Sequence, residues 1–253
     1  MSESPALIAE LRALVATGTS TQGDDRPPDA WLTQGLQRGQ LHELYAAEPA
    51  DGTATAGFAV ALALAAETMP LLWIRTEDAE KRCGRLYATG LVELGLNPDQ
   101  LLLAVVPDEA AQLRAAADAA RCSGLGAVLL EVWGPARGVD LTATRKLMLA
   151  AETSGVTVLM LRADGQPAPS AAATRWQVGT LLSTAMAADA PGQPAFEIEL
   201  LRRRGGPAGA RWRVEWDRDA QQFRDAPLPG AGVSVVADRA AALDPSAPVR
   251  RAG

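Results

Sequence analysis

Five short apolar runs recur along the chain, each separated from the next by a helix-patterned segment, and this alternation limits the fold more than any other feature. The runs are "QLHELYA" (40–46), "PLLWIRT" (70–76), "QLLLAVV" (100–106), "AVLLEVW" (127–133) and "VTVLMLR" (156–162). Helical patterns fall at 53–67, within 79–95, at 108–122 and at 142–155. Strands that are apolar on both faces and joined by helices make a parallel sheet covered on both sides. The crossovers are expected to be right-handed. The ending differs. In "FEIELLRRRGGPAGARWRVEWD" (196–217), Ile198 and Leu200 alternate with Glu197 and Glu199, and Trp212, Val214 and Trp216 alternate with Arg211, Arg213 and Glu215. That period of two, broken by Gly and Pro, predicts an antiparallel hairpin with one face on the core and one charged. The predicted class is α/β: a mostly parallel sheet, helices on both faces and a C-terminal antiparallel hairpin.

The turn between the first strand and its helix lies where α/β nucleotide-binding proteins carry a phosphate loop. A working loop uses glycines so that backbone N–H groups can wrap phosphate, a lysine for the β/γ charge, and a Ser/Thr hydroxyl for magnesium. Here the eight residues are Ala46, Ala47, Glu48, Pro49, Ala50, Asp51, Gly52 and Thr53. Ala46 replaces the first glycine, Asp51 and Gly52 stand in place of glycine and lysine, and Thr53 alone is retained. The first lysine in the chain is Lys81. Asp51 beside a triphosphate at 4 Å would cost on the order of 4 kcal/mol per like-charge pair at an effective dielectric of 20. No useful ATP binding is expected through this loop, and no cofactor.

Flanking the core, residues 1–18 form a separate helix signal. Ser4 and Pro5 suit its start, and Leu7, Ile8, Leu11, Leu14 and Val15 form one apolar stripe. Residues 19–38 read as a polar Pro/Gly linker, residues 39–218 as the core, and residues 219–253 as a mobile tail with a short strand at "GVSVVA". The helix either docks on a partner or packs on its own domain. Trp31, ahead of the core, is the best interface tryptophan. Trp73, Trp133, Trp212 and Trp216 are expected in the core, with Trp176 left open.

A net charge of −6 gives no general attraction to nucleic acid. Arg202, Arg203, Arg204, Arg211 and Arg213 are candidates for DNA or an acidic partner, against a bland alternative in which Arg213 pairs with Glu199. The single histidine, His42, reads as a packing or surface residue, and no Ser–His–Asp triad is expected. Cys83 and Cys122 show no metal or disulfide spacing and fit a reduced, cytoplasmic protein. No membrane span, metal site or catalytic residue is expected.

The ordered motifs resemble the RecA core. "RGQLHELYAAEPADGT" is similar to its first strand and phosphate loop, and "WIRTEDA" to its second strand, which puts Glu77 at the catalytic glutamate position. "AVLLEVW" is similar to the Walker B strand, with Glu131 in place of the aspartate. Within that superfamily, "RGQLHELY", "GRLYATGLVELGL", "DLTATRKLMLAAETSGVTVLMLR", "SAAATRWQV" and "LLRRRGG…W…EWD" look most like the ImuA family. This resemblance implies a RecA-like fold and a non-catalytic accessory role in SOS-induced mutagenesis and translesion DNA synthesis. It implies three partners: RecA, an ImuB-type polymerase-like protein and, through that complex, an error-prone C-family DNA polymerase. Glu77 and Glu131 would be structural carry-over. The segments "VWGPARGVDLTAT" and "ADGQPAP" would be shortened forms of the two RecA loops that grip single-stranded DNA. Leu7, Leu11 and Leu14 would join or cap a RecA filament. The alternatives are a weak ATPase with a non-standard site, or a SulA-type inhibitor of cell division.

Overall fold

The computed structural model describes residues 36–226, apart from 185, 187–189 and 191. The expected N-terminal helix, most of the linker, Trp31 and "GVSVVA" lie outside the described residues. The parallel part contains β1 (Leu41–Ala46), α1 (Gly52–Ala65), β2 (Leu71–Thr76), α2 (Glu77–Cys83), α3 (Ala88–Glu93), β3 (Leu101–Val106), α4 (Glu109–Ala119), β4 (Ala127–Trp133), α5 (Leu141–Ser154), β5 (Thr157–Ala163) and β6 (Thr174–Leu181). The antiparallel part adds β7 (Ala195–Arg203), β8 (Arg211–Asp217) and β9 (Gln222–Asp225). All nine strands form one sheet in the order β3-β2-β4-β5-β1-β6-β7-β8-β9. Pairing is parallel from β3 to β6 and antiparallel from β6 to β9.

Sequence chemistry explains where the elements stop and start. Thr76 caps α2 by accepting from the Ala79 N–H at 3.1 Å. Gly84, at φ 78°, then ends that helix. The pattern over 79–95 therefore becomes two short helices. Asp108 and Asp140 cap α4 and α5 through the Ala111 and Ala143 N–H groups, each at 2.7 Å. α5 ends at Gly155 in the left-handed region.

Two cores sandwich the sheet. On one side α1, apolar all round, packs with Trp73, Leu129, Leu161 and Trp176 and with the inner face of β7–β9. On the other, α4 and α5 cover Ile74, Val128, Leu130, Val158 and Met160. Trp73, Trp176, Trp212 and Trp216 are buried, while Trp133 is half-buried at the end of β4. The sheet continues past residue 218, the expected end of the core. β9 pairs with β8, and Phe223 packs on Phe58 and Trp216 with ring centroids 5.3 and 4.9 Å away.

His42 lies at the centre of a closed relay. Trp176 Nε1–H donates to Thr174 Oγ1 at 2.7 Å, and the Thr174 hydroxyl lies 2.7 Å from His42 Nδ1. His42 Nε2 lies 2.9 Å from the Gln37 carbonyl, which can only accept, so the ring carries its proton on Nε2. Complete burial lowers its pKa to about 4. Because the folded value lies below the unfolded one, this contribution is full above about pH 6.5 and is lost as pH falls toward 4. The loss is on the order of 3 kcal/mol. Urea midpoints for the wild type and His42→Gln, compared across that window, are expected to converge as pH falls. Parallel curves would contradict the relay.

Candidate nucleotide site

The turn after β1 is wound into a single 3-10 turn (Pro49–Asp51). The Asp51 N–H donates to the Glu48 carbonyl at 2.9 Å, and the Gly52 N–H donates to the Pro49 carbonyl. Pro49 has no N–H to offer. The backbone N–H groups of Asp51 and Gly52 are thus used within the turn. Asp51 also fastens the turn to the sheet. Its carboxylate accepts from the Thr180 hydroxyl at 2.6 Å, from the Thr180 N–H at 3.0 Å and from the Glu48 N–H at 3.2 Å. The side chain read as repulsive to phosphate is a structural clip here. Ala46 ends β1 opposite Val178, Glu48 and Thr53 are exposed, and Gly52 is buried.

Glu131, on the central strand β4, is buried and fully engaged. Trp73 Nε1–H donates to its Oε2 at 2.8 Å. Trp133 Nε1–H and an Arg75 Nη2–H donate to its Oε1 at 2.7 and 3.1 Å. The Arg75–Glu131 ion pair is almost wholly enclosed, with side-chain exposures of 2% and 4%. Arg75 also donates to the Gly84 carbonyl at 3.0 Å and to Cys83 Sγ at 2.8 Å. Burial and the neighbouring Glu131 carboxylate push the Cys83 thiol pKa upward, so this thiol is not an activated nucleophile.

Trp133 links the clip and the clamp. With its N–H on Glu131, its ring lies against the start of α1. A Cβ placed on Gly52 would sit 3.1 Å from Trp133 Cη2 and 3.3 Å from Ala163 Cβ. Glycine at 52 thus makes room for an indole at the place where a phosphate loop carries its lysine. Glu77 is exposed in the first turn of α2.

The remaining candidates are dispersed. Arg202 donates to the carbonyls of Ser170 and Ala172, each at 3.2 Å. Arg204 reaches Gln40 at 2.9 Å and Glu152 at 3.3 Å. Arg211 pairs with Glu199 at 2.8 Å, and Arg213 with Glu197 at 3.3 Å. The expected Arg213–Glu199 pair is therefore displaced by two residues, because the β7–β8 register sets Glu197 opposite Arg213 and Glu199 opposite Arg211. Such exposed pairs contribute about 0–1 kcal/mol each. Arg203 is half-buried. Leu7, Ile8, Leu11, Leu14, Val15 and Trp31 lie outside the described residues.

The loop after β5 is also tied down. Arg175 bonds the Ala168 carbonyl and lies 3.2 Å from Ser170 Oγ. It also pairs with buried Glu43 at 2.9 Å. Both Arg162 and Arg175 face the Tyr45 ring, 5.6 and 5.4 Å from its centroid. Neither this cluster nor the Glu131 clamp was foreseen as a unit. The available signal was the period of two in "WIR" and "EVW", which puts Trp73 with Arg75, and Glu131 with Trp133, on one face.

Among the described residues no acidic, histidine or cysteine cluster suits a metal ion, and no helix is long and apolar enough to cross a membrane. No family model matches the chain, and no curated protein matches it. Among solved structures it is similar to the RadB recombinase, with 16% identity, a TM-score of 0.53, and coverage of 79% of this chain and 96% of that one. The fold is RecA-like, with the nucleotide-loop position occupied by the clip and clamp described above.

Proposed function

We propose that this protein is a non-catalytic RecA-like adaptor or regulator of DNA-damage-induced mutagenic translesion synthesis, of the ImuA type. It binds RecA and an ImuB-type polymerase-like partner, and through them an error-prone C-family polymerase. The observation that carries the non-catalytic part is the closed site. Trp133 lies against Gly52, and the Walker B position, Glu131, is neutralised by Arg75 inside the protein. A carboxylate held by Trp73, Arg75, Trp133 and the Cys83 thiol is poorly placed to orient magnesium or water. The ordered ImuA-like phrases support the choice of pathway, and the stripe at residues 7–15 supports a docking role.

Co-purification from DNA-damaged cells tests this reading. The full-length protein is expected to retain RecA and the polymerase-like partner. Deletion of residues 1–20 is expected to lower RecA recovery at least tenfold while leaving the other partner bound. Undiminished RecA recovery would remove the assigned role of the stripe, and recovery of neither partner from the full-length protein would refute the pathway.

A further inference from the structure

The cluster around Tyr45 carries more positive charge than its acids balance. Tyr45 on β1 and Arg162 on β5 are register partners, and Arg175 comes from β6, on the other side of β1. Buried Glu43 takes the Arg175 Nε–H at 2.9 Å, so one of the two guanidinium groups is matched. Arg162 is 3% exposed and has no carboxylate partner among the described residues. Asp164, the one acid of the covering loop 164–170, is exposed. Arg162 Nε is buried and makes no hydrogen bond, and neither does the buried Tyr45 hydroxyl, which faces the Ala168 backbone. A buried cation left in this way is costly, because nothing replaces the water it has lost. Burial first, and the Glu43 carboxylate second, push the Tyr45 phenol pKa upward, so it stays a hydrogen-bond donor.

Gly165 marks where the missing partner fits. A Cβ placed on it would stand 3.1 Å from both Nε and Nη2 of Arg162. These two atoms form an edge of the guanidinium that can grip an oxyanion through two parallel N–H bonds. The backbone at 165 is not left-handed, so glycine here serves space rather than conformation. We propose that this edge of Arg162, with the Tyr45 hydroxyl beside it, binds a small oxyanion of the phosphate class. Loop 164–170, which Arg175 fastens through the Ala168 carbonyl and Ser170, covers the site. The site therefore takes a free ion, and neither a nucleotide nor a strand of nucleic acid. The ion supplies the negative charge that Arg162 lacks. It also staples the Gly165 end of the loop, as Arg175 staples the Ala168–Ser170 end. The inference does not depend on the pathway proposed above.

Thermal melts of the full-length protein test the site, with inorganic phosphate set against sodium chloride of equal ionic strength. The wild-type midpoint is expected to rise saturably with phosphate, by roughly 5–10 °C at about a hundredfold excess over Kd. Arg162→Met removes the fork, and Gly165→Ala puts a methyl group on its edge. Each is expected to abolish the saturable rise. Gly165→Ala leaves the buried charge in place, so it decides the matter if Arg162→Met does not fold. No wild-type rise beyond that in chloride, or a saturable rise that either folded variant keeps in full, would overturn the site. A rise given by a single-stranded oligonucleotide and not by phosphate would overturn it as well.

Discussion

Glu131→Ala is expected to destabilise the protein by roughly 3–5 kcal/mol, the cost of leaving one partner of a buried ion pair uncompensated. Removing the carboxylate strands the Arg75 guanidinium, whose Nε already lacks a partner, and leaves the Trp73 and Trp133 N–H groups without their acceptor. Glu131→Gln keeps an acceptor oxygen and should lose less. Pairing Arg75→Met with Glu131→Leu removes both charges and is expected to recover much of the loss. Urea unfolding of the four proteins gives the comparison. In an ordinary nucleotide-binding site, a carboxylate aimed at magnesium carries catalysis rather than stability, and its removal would leave the unfolding midpoint nearly unchanged. A near-neutral Glu131→Ala would therefore mean that the clamp is not what holds β2 to β4.

The second large effect concerns Gly52. Gly52→Ala is expected to cost about 1–3 kcal/mol, typical of overpacking. The new methyl would press on Trp133 and Ala163, and Trp133 cannot shift without disturbing its bond to Glu131. The backbone at 52 is ordinary right-handed helix, so this cost is one of packing rather than conformation. Gly52→Lys, which restores the missing lysine, should be worse, because it adds a charge at a buried position. It should not create nucleotide affinity while the indole stays in place. Adding Trp133→Ala is expected to relieve the clash and recover stability relative to Gly52→Lys alone. Thermal melts with and without magnesium and ATP distinguish these outcomes.

Much of the sheet was legible because its strands announce themselves by period and its helices by caps. The parallel runs from β1 to β5 and the β7–β8 hairpin fall within one or two residues of their expected places. β9 was not legible. "QFRD" offers one apolar residue, Phe223, and only its packing against Phe58 and Trp216 makes the segment a strand. The site was half legible. Ala46, Asp51 and Gly52 mark a turn without the glycines and lysine of a phosphate loop, but not what packs there instead. The replacement depends on strand order, which places β2 beside β4 although β3 lies between them in sequence. It depends also on Asp51 reaching Thr180, more than a hundred residues away. Local pattern shows that Trp73 and Arg75 share a face, and that Glu131 and Trp133 share a face. It does not show that the two faces meet. The same limit displaced the Arg213 pairing, since a hairpin's register depends on its loop as well as on its alternation.

The turn after β1 is closed by the protein's own side chains, with Trp133 against Gly52 and Arg75 on Glu131. Calorimetric titration of the full-length wild-type protein with magnesium and ATP tests it most directly. No saturable heat is expected up to millimolar nucleotide, and Trp133 fluorescence, isolated by comparison with Trp133→Phe, should not respond. Saturable binding in the micromolar range, accompanied by a change in that fluorescence, would show instead that the indole yields its place to phosphate.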